Sequence, residues 1–253
     1  MVKYIYNFLL MIQFLTRIPV KRSLPCEKED FRRGAAMLPL IGLIVGCIQW
    51  VVFYILSKIF PANITAIFII LVGMVLIGGL HQDGLGDIFD GFFSFKGDKE
   101  KIIEIMKDSR VGTFAVLALI FDILIKYSAL SFIIENNMSY AIIITPIMSR
   151  CTLVFLFLIG KNAKKNGTGN LFIENVSVKE FIISFIFMIV PSVLLIGYKY
   201  SVIIIVVSFI ITLAFLNLCN RKIGGITGDC LGANNEIVEM FTMLVFVALL
   251  YIN

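Results

Sequence analysis

The sequence predicts an all-α fold: a polytopic transmembrane helical bundle of about seven main spans plus a short N-terminal apolar helix. Three observations carry that expectation. Of the 253 residues, 59% are hydrophobic and only 15% are charged, with a mean hydropathy of +0.98. Soluble domains average about 45–50% apolar and about 25% charged residues, so this chain has too few polar residues to cover a surface facing water. The apolar residues are gathered into repeated stretches of the roughly 17–25 residues that a bilayer core requires. The basic residues, finally, concentrate in alternate connections between those stretches.

Taken in chain order, the first element is the apolar run 4–15, preceded by Lys3. Thr16, Arg17 and Pro19 follow it, and no small-residue cleavage site sits at the distance a signal peptidase needs. The run is therefore kept, as a short span or as a helix lying in the membrane interface. The main spans are expected at 34–56, 64–80, 111–133, 140–160, 181–197, 201–218 and 237–251. Short turns at 58–63, 135–139 and 198–200 join some of them, and longer polar loops join the rest. No linker, low-complexity tract or internal repeat divides the chain. Residues 1–253 thus read as one integral membrane domain, without visible support for an inverted-repeat transporter.

The longer connections hold Arg17 to Arg33, Lys96 to Arg110, Lys161 to Lys179 (Lys165 among them) and Arg221 with Lys222, whereas the short ones opposite hold only Lys58 and Lys199. By the positive-inside rule the long loops face the cytoplasm. The protein is then a multi-pass protein of the cytoplasmic membrane, with its C-terminus outside. The net charge of +5 follows from the same retention pattern and calls for no nucleic-acid partner. Cys26, Cys47, Cys151, Cys219 and Cys230 are scattered, with no CxxC and no Cys/His pairing, so neither a zinc site nor a disulfide framework is expected.

Chemistry concentrates in the run His81-Gln-Asp83-Gly-Leu-Gly-Asp87-Ile-Phe-Asp90-Gly91, read as the cytoplasmic end of the span that closes on Leu80. Asp83, Asp87 and Asp90 stand at i, i+4 and i+7, one helix face. Two ionised carboxylates about 6 Å apart repel by roughly 2–3 kcal/mol at an effective dielectric near 20, so three of them call for a counter-charge. With no His or Cys cluster nearby, that charge is Mg²⁺ or Mn²⁺ rather than zinc. Gly84, Gly86 and Gly91 weaken the helix by about 1 kcal/mol each and are expected to let a phosphate approach the backbone. The alternative is a helix end with solvated acids. His81, the single histidine, reads as a hydrogen-bonding neighbour before a general base.

Two further clusters suit phosphate. Lys107-Asp-Ser109-Arg110 precedes the span at 111–133, where Lys and Arg can clamp phosphate oxygens and Ser109 or Thr113 can cap a helix or act as a ligand. The same cluster also fits a basic cytoplasmic flank. The run Gly224-Gly225-Ile-Thr227-Gly228-Asp229-Cys-Leu-Gly232-Ala-Asn234-Asn235 reads as a loop whose N–H groups face an anion and which opens into a helix capped by Asn. Asp229 can join a metal site or orient an attacking hydroxyl; a flexible turn explains the glycines equally. Within the spans, Asp122 (the one acid expected there) pairs with Lys126. Lys126 and Arg150 either reach an anionic substrate or form internal pairs.

At these residues the sequence resembles the cobalamin synthase family, the adenosylcobinamide-GDP ribazoletransferases. The likeness rests on FLTRIPV at 14–20, LPLIGLIVG at 38–46, GGLHQDGLGDIFDG at 78–91, EIMKDSRVGTF at 104–114, SR at 149–150, NGTG at 166–169 and GGITGDCLGANNEI at 224–237. Gln82, Gly86 and Cys230 depart mildly from it. The resemblance implies a Mg²⁺-dependent membrane enzyme in the last steps of cobalamin biosynthesis. In it a hydroxyl of α-ribazole, or of α-ribazole 5′-phosphate, attacks adenosylcobinamide-GDP and GMP leaves. Asp83, Asp87 and Asp90 would hold the metal, Lys107 and Arg110 the phosphates, and Asp90 or Asp229 would take the hydroxyl proton. His81, Ser109, Lys126, Arg150, Gly225, Thr227, Gly228 and Asn234 would contact substrate, with membrane lipid and neighbouring enzymes of the pathway as partners. Two rivals remain. A CDP-alcohol phosphotransferase uses a longer Asp array with an Ala-Arg pair where Gly86-Asp87 stands here. A cation transporter would need its acids near the bilayer midplane.

Overall fold

The computed structural model describes residues 2–94, 97–164 and 167–252. Lys96 and Lys165 of the basic connections and Asn166 of the NGTG run lie outside them. Among the described residues the chain forms helices α1 (Val2–Leu15), α2 (Lys28–Ala35), α3 (Leu38–Leu56), α4 (Ala62–Ile77), α5 (Leu80–Phe93), α6 (Lys99–Ile105), α7 (Thr113–Glu135), α8 (Ala141–Ile159), α9 (Val178–Ile223) and α10 (Gly228–Ile252), and no strand.

By length and apolarity five helices (α3, α7, α8, α9 and α10) can cross a bilayer, or six if α4 and α5 together count as one bent span; about seven were expected. The difference lies in α4, which has 16 residues, and in α9, whose 46 residues hold the expected spans 181–197 and 201–218 as two arms of one element. That helix is not straight. Gly197 breaks it with φ 74° and ψ 165°, a backbone state only glycine adopts freely. Phe181 and Phe209 then meet with ring centroids 6.1 Å apart, where a continuous helix would hold them about 42 Å apart. The two arms therefore fold back on each other.

The core is built around α8, which is buried over nearly its whole length, from Ala141 to Phe157. Helices α3, α9 and α10 surround it. Gly42 and Gly46 let α3 approach closely: a Cβ on Gly46 would lie 2.8 Å from Ile143 Cα, and one on Gly42 would strike the Pro146 backbone. Small residues at such crossings let helix backbones pack where lipid gives no hydrophobic drive. The hydroxyls of Thr145 and Thr152 donate to the Ala141 and Ser149 carbonyls, which satisfies these two donors inside the apolar bundle. Helix α1, with 14 residues, is not among the crossing helices. It packs on α2 through Met11 against Gly34 and an edge contact of Phe14 with Phe31.

The acidic run forms a helix of its own at the end of α4. Gly78 and Gly79 take left-handed φ values of 71° and 75°, close α4, and turn α5 through 91°. At 14 residues, about 21 Å long, α5 by itself is too short to cross a core about 30 Å thick. It packs on α10, α7 and α6 instead.

Candidate active site

Helix α5 realises the i, i+4, i+7 spacing, but its three acids differ in burial: Asp83 is exposed, Asp87 half-buried and Asp90 buried. Burial pushes the Asp87 carboxyl up to about 7, aided by the negative charges of Asp83, Asp229 and Asp90 and opposed by Lys164. Asp229 joins the group from the first turn of α10. Its carboxylate accepts from Lys164 Nζ at 3.0 Å and from the Thr227 hydroxyl at 3.0 Å. Lys164 is delivered by a short bridge in which Ala163 N donates to Ile226 O (2.9 Å) and Ile226 N to Lys161 O (2.8 Å).

The glycines of α5 allow close helix packing. A Cβ on Gly84 would lie 2.7 Å from the Asp229 carbonyl oxygen, one on Gly86 3.3 Å from Ala115 Cβ, and one on Gly91 would strike Met106. All three are buried, although Gly84 and Gly86 each also border one of the two spaces beside the helix. Gly84 brings the Asp83–Asp87 turn against Asp229.

On one side of α5 a cleft of about 310 Å³ is lined by Asp83, Asp87, Asp90, Lys107, Ser109 and Arg110. Asp90 fixes its floor: its two oxygens accept from Gly112 N (2.6 Å) and Ala115 N (3.0 Å), satisfying donors that the start of α7 leaves free. The acid thereby clamps the Lys107–Arg110 loop to the acidic helix. Arg110 is turned onto Asp108 at 2.6 Å, and the hydrogen bonds from Arg110 hold the Asp108 carboxyl down at about 2. Among the described residues no three or more His, Cys, Asp or Glu side chains converge as a metal cluster on their own.

On the other side, an apolar pocket of about 120 Å³ is lined by Phe14, Leu15, Leu38, Leu80, Leu153, Phe157, Phe172 and Leu231, with Asp83, Asp229, His81, Thr168 and Gly169 as its more polar members. Phe157 and Phe172 stack at 4.7 Å with 17° between their planes. Asp83 lines both spaces.

A profile of the cobalamin-5-phosphate synthase family matches residues 7–247. The chain belongs to this family. It is accordingly a transferase of cobalamin biosynthesis. The adenosylcobinamide-GDP ribazoletransferase of Clostridium kluyveri is 52% identical to it over 240 residues, 94% of each chain. The protein of the same name from Clostridium botulinum (strain Langeland) is 44% identical over 239 residues, 94% of this chain and 96% of the relative. That of Thermoanaerobacter pseudethanolicus is 39% identical over 245 residues, 96% and 98% of the two chains. No solved structure matches.

In this family member several residues expected to contact substrate have other partners. Lys126 is buried and held by Glu236, by Asp122 at 3.0 Å and by Glu239 at 3.6 Å. Arg150 is buried against Glu239, which also accepts from Ser149 and Asn235 at 3.1 Å each. Asp122 is thus not the only acid among the spans; α10 supplies two more. The pairing leaves neither cation free for an anion. Glu236 further accepts from Gln82 at 3.0 Å and lies 3.6 Å from His81 Nδ1, just beyond hydrogen-bond reach. These groups surround a cavity of about 40 Å³. Asn234 does not cap α10. It is buried and donates to Thr152 at 3.2 Å, while the capping side chain is Thr227, which accepts from Cys230 N at 3.4 Å. Gly225 packs on the Lys161 carbonyl, and Gly228 opens α10 beside the apolar pocket. Thr168 and Gly169 of the NGTG run, and Lys164, belong to the site although no role was expected of them; the NGTG motif was the available signal. All five cysteines are free thiols.

Proposed function

We propose that the enzyme transfers the adenosylcobinamide-phosphate group of adenosylcobinamide-GDP to α-ribazole or α-ribazole 5′-phosphate, with Mg²⁺, at the cytoplasmic face of the membrane. The observation that carries this reading is the cleft in which Asp83 and Asp87 face Lys107, Ser109 and Arg110. An all-oxygen donor set with crowded carboxylates fits Mg²⁺, which is held by one or two carboxylates plus substrate phosphates more often than by a protein cage. Asp83 and Asp87 would hold it, with Asp90 beside them, and when bound it supplies charge neutralisation for the pyrophosphate.

The chain's own residues do the rest. Lys107 and Arg110 take phosphate oxygens, Arg110 exchanging Asp108 for a better-matched partner, and Ser109 donates a hydrogen bond. The acceptor's hydroxyl oxygen forms a bond to the phosphorus nearer the cobinamide. The bond from that phosphorus to the bridging oxygen breaks, and GMP leaves with the electron pair. The hydroxyl proton passes to Asp229, which borders the pocket beside Asp83, while Asp90 stays engaged with α7. Positioning and electrostatic stabilisation then account for most of the catalysis, as is general for phosphoryl transfer. The basic connections flanking the site support a cytoplasmic location, with the C-terminus outside.

The test is GMP formation by the purified enzyme in liposomes supplied with adenosylcobinamide-GDP, α-ribazole and Mg²⁺. Activity is expected to vanish with chelator and to collapse in Asp83→Asn and Asp87→Asn. Near-wild-type GMP release by both variants would overturn the assignment.

A further inference from the structure

The two spaces that meet at Asp83 differ in chemistry. One is a charged cleft of about 310 Å³ with Lys107 and Arg110; the other is a pocket of about 120 Å³ walled by leucines and phenylalanines. An apolar cavity of about 150 Å³ holds one benzene ring, so the smaller pocket encloses no more than one flat ring, and a second, fused ring must stand in its mouth. A corrin macrocycle is far too large for it.

Two flat ring systems take part in the proposed reaction, the guanine of the donor and the base of the acceptor. Guanine carries several donors and acceptors, and burying them without partners costs roughly 1–3 kcal/mol each. Away from its carboxylate mouth the pocket offers few polar side chains, chiefly His81 and Thr168. His81 is buried with Glu236 facing its Nδ1. A benzimidazole base presents a single ring-nitrogen acceptor and loses far less there. Its ribose, by contrast, needs polar neighbours, and Asp83 and Asp229 stand at the same pocket.

We propose that this pocket is the acceptor subsite: it takes the flat apolar bicyclic base of the nucleoside against the stacked Phe157–Phe172 pair and presents the ribose to Asp83 and Asp229. The inference rests on the ribazole-transfer reading above and adds to it the place and the selectivity of the acceptor. Leu153, 3% exposed on α8, forms one wall and sets how wide a base enters.

The test uses Leu153→Phe and Leu153→Ala in the full-length enzyme, with folding checked by thermal unfolding in detergent. Acceptors are benzimidazole ribosides with and without ring methyl groups. Leu153→Phe is expected to raise KM for the methylated acceptor about tenfold or more, the scale of one or two methyl-sized steps in an apolar pocket. The unmethylated acceptor should suffer less and the GDP-activated corrinoid about not at all. Leu153→Ala should shift preference the other way, toward bulkier bases. Opposite shifts in selectivity are not what a general packing defect produces. The proposal is overturned if folded variants leave the acceptor ratio unchanged, or if donor KM moves in place of acceptor KM, which would make the pocket the guanine subsite. Calorimetric binding of the methylated riboside to wild type and Leu153→Phe separates this idea from the broader one. Binding that is lost in the variant keeps the pocket even if wild type forms no GMP, whereas GMP formation with unaltered binding in the variant keeps the reaction and sinks the pocket.

Discussion

Asp87 and Glu239 are carboxylates of the same bundle, yet their surroundings are opposite. Glu239 is shielded inside the helices and touches Arg150, Lys126, Ser149 and Asn235. Asp87 lies half-buried among Asp83, Asp229 and Asp90, with Lys164 as the cation that offsets them. In the first region three acids, Asp122, Glu236 and Glu239, share the two bases Lys126 and Arg150, and each acid touches at least one of them, as burial in an apolar medium demands. In the second, like charges are held together without enough protein cations, an arrangement that costs stability unless something positive joins it. The difference separates charge that holds the fold from charge that waits for a ligand.

That distinction can be broken by substitution, and the largest effect is expected in the paired region. Arg150→Met leaves Glu239 short of its main partner, and removal of one member of a buried pair costs about 3–5 kcal/mol. Thermal unfolding in detergent should show a severely destabilised or unfolded variant. Replacement of both partners, as in Arg150→Met with Glu239→Gln, should recover part of that loss. Asp87→Asn should do the reverse: stability unchanged or slightly raised because repulsion is relieved, and GMP formation down by about 100-fold or more, the scale of a lost metal ligand. Mg²⁺ should raise the wild-type melting temperature and shift the Asp87→Asn variant less. A clear loss of stability in that variant would blur the two regions into one.

Smaller effects sharpen the boundary. Gly84→Ala forces a Cβ against the Asp229 backbone, and overpacking of this kind costs about 1–3 kcal/mol; kcat should fall with donor KM unchanged, measured by initial rates. Lys107→Ala touches neither packing nor the paired region. It should raise donor KM by about tenfold at constant stability, and a stability change there would show that the loop is structural.

Much of the unpaired region was legible in the sequence, because its logic is local. The i, i+4, i+7 spacing of Asp83, Asp87 and Asp90 needs only a helix, and Lys107 to Arg110 follow within one short loop and one short helix. Their meeting in one cleft, pinned by Asp90 on α7, fits that reading. The paired region was legible only in part: Asp122 and Lys126 pair at i, i+4 as expected, but Glu236 and Glu239 meet Lys126 and Arg150 across gaps of 110 and 89 residues, and no periodicity announces such partners. The packing role of Gly84 was hidden for a related reason, because only the fold puts the Asp229 backbone against it. The 91° turn was hidden because Gly78-Gly79 also suits the frayed end of a span, whereas the fold-back of α9 at Gly197 stands beside the short turn expected at 198–200.

The pairing of Arg150 with Glu239 also constrains how the protein is made. Arg150 and Lys126 leave the ribosome about 90–110 residues before the acids that answer them, a delay of roughly 5–20 s at 5–20 residues per second. During that interval α8 carries the unmatched cation Arg150 at an energetic cost in lipid, whereas Lys126 on α7 already has Asp122 beside it, so the bundle cannot lock until α10 enters. Glu236 and Glu239 on α10 act as the closing latch of biogenesis. A chain truncated before α10 should therefore be cleared by membrane proteases even though every earlier helix has been inserted.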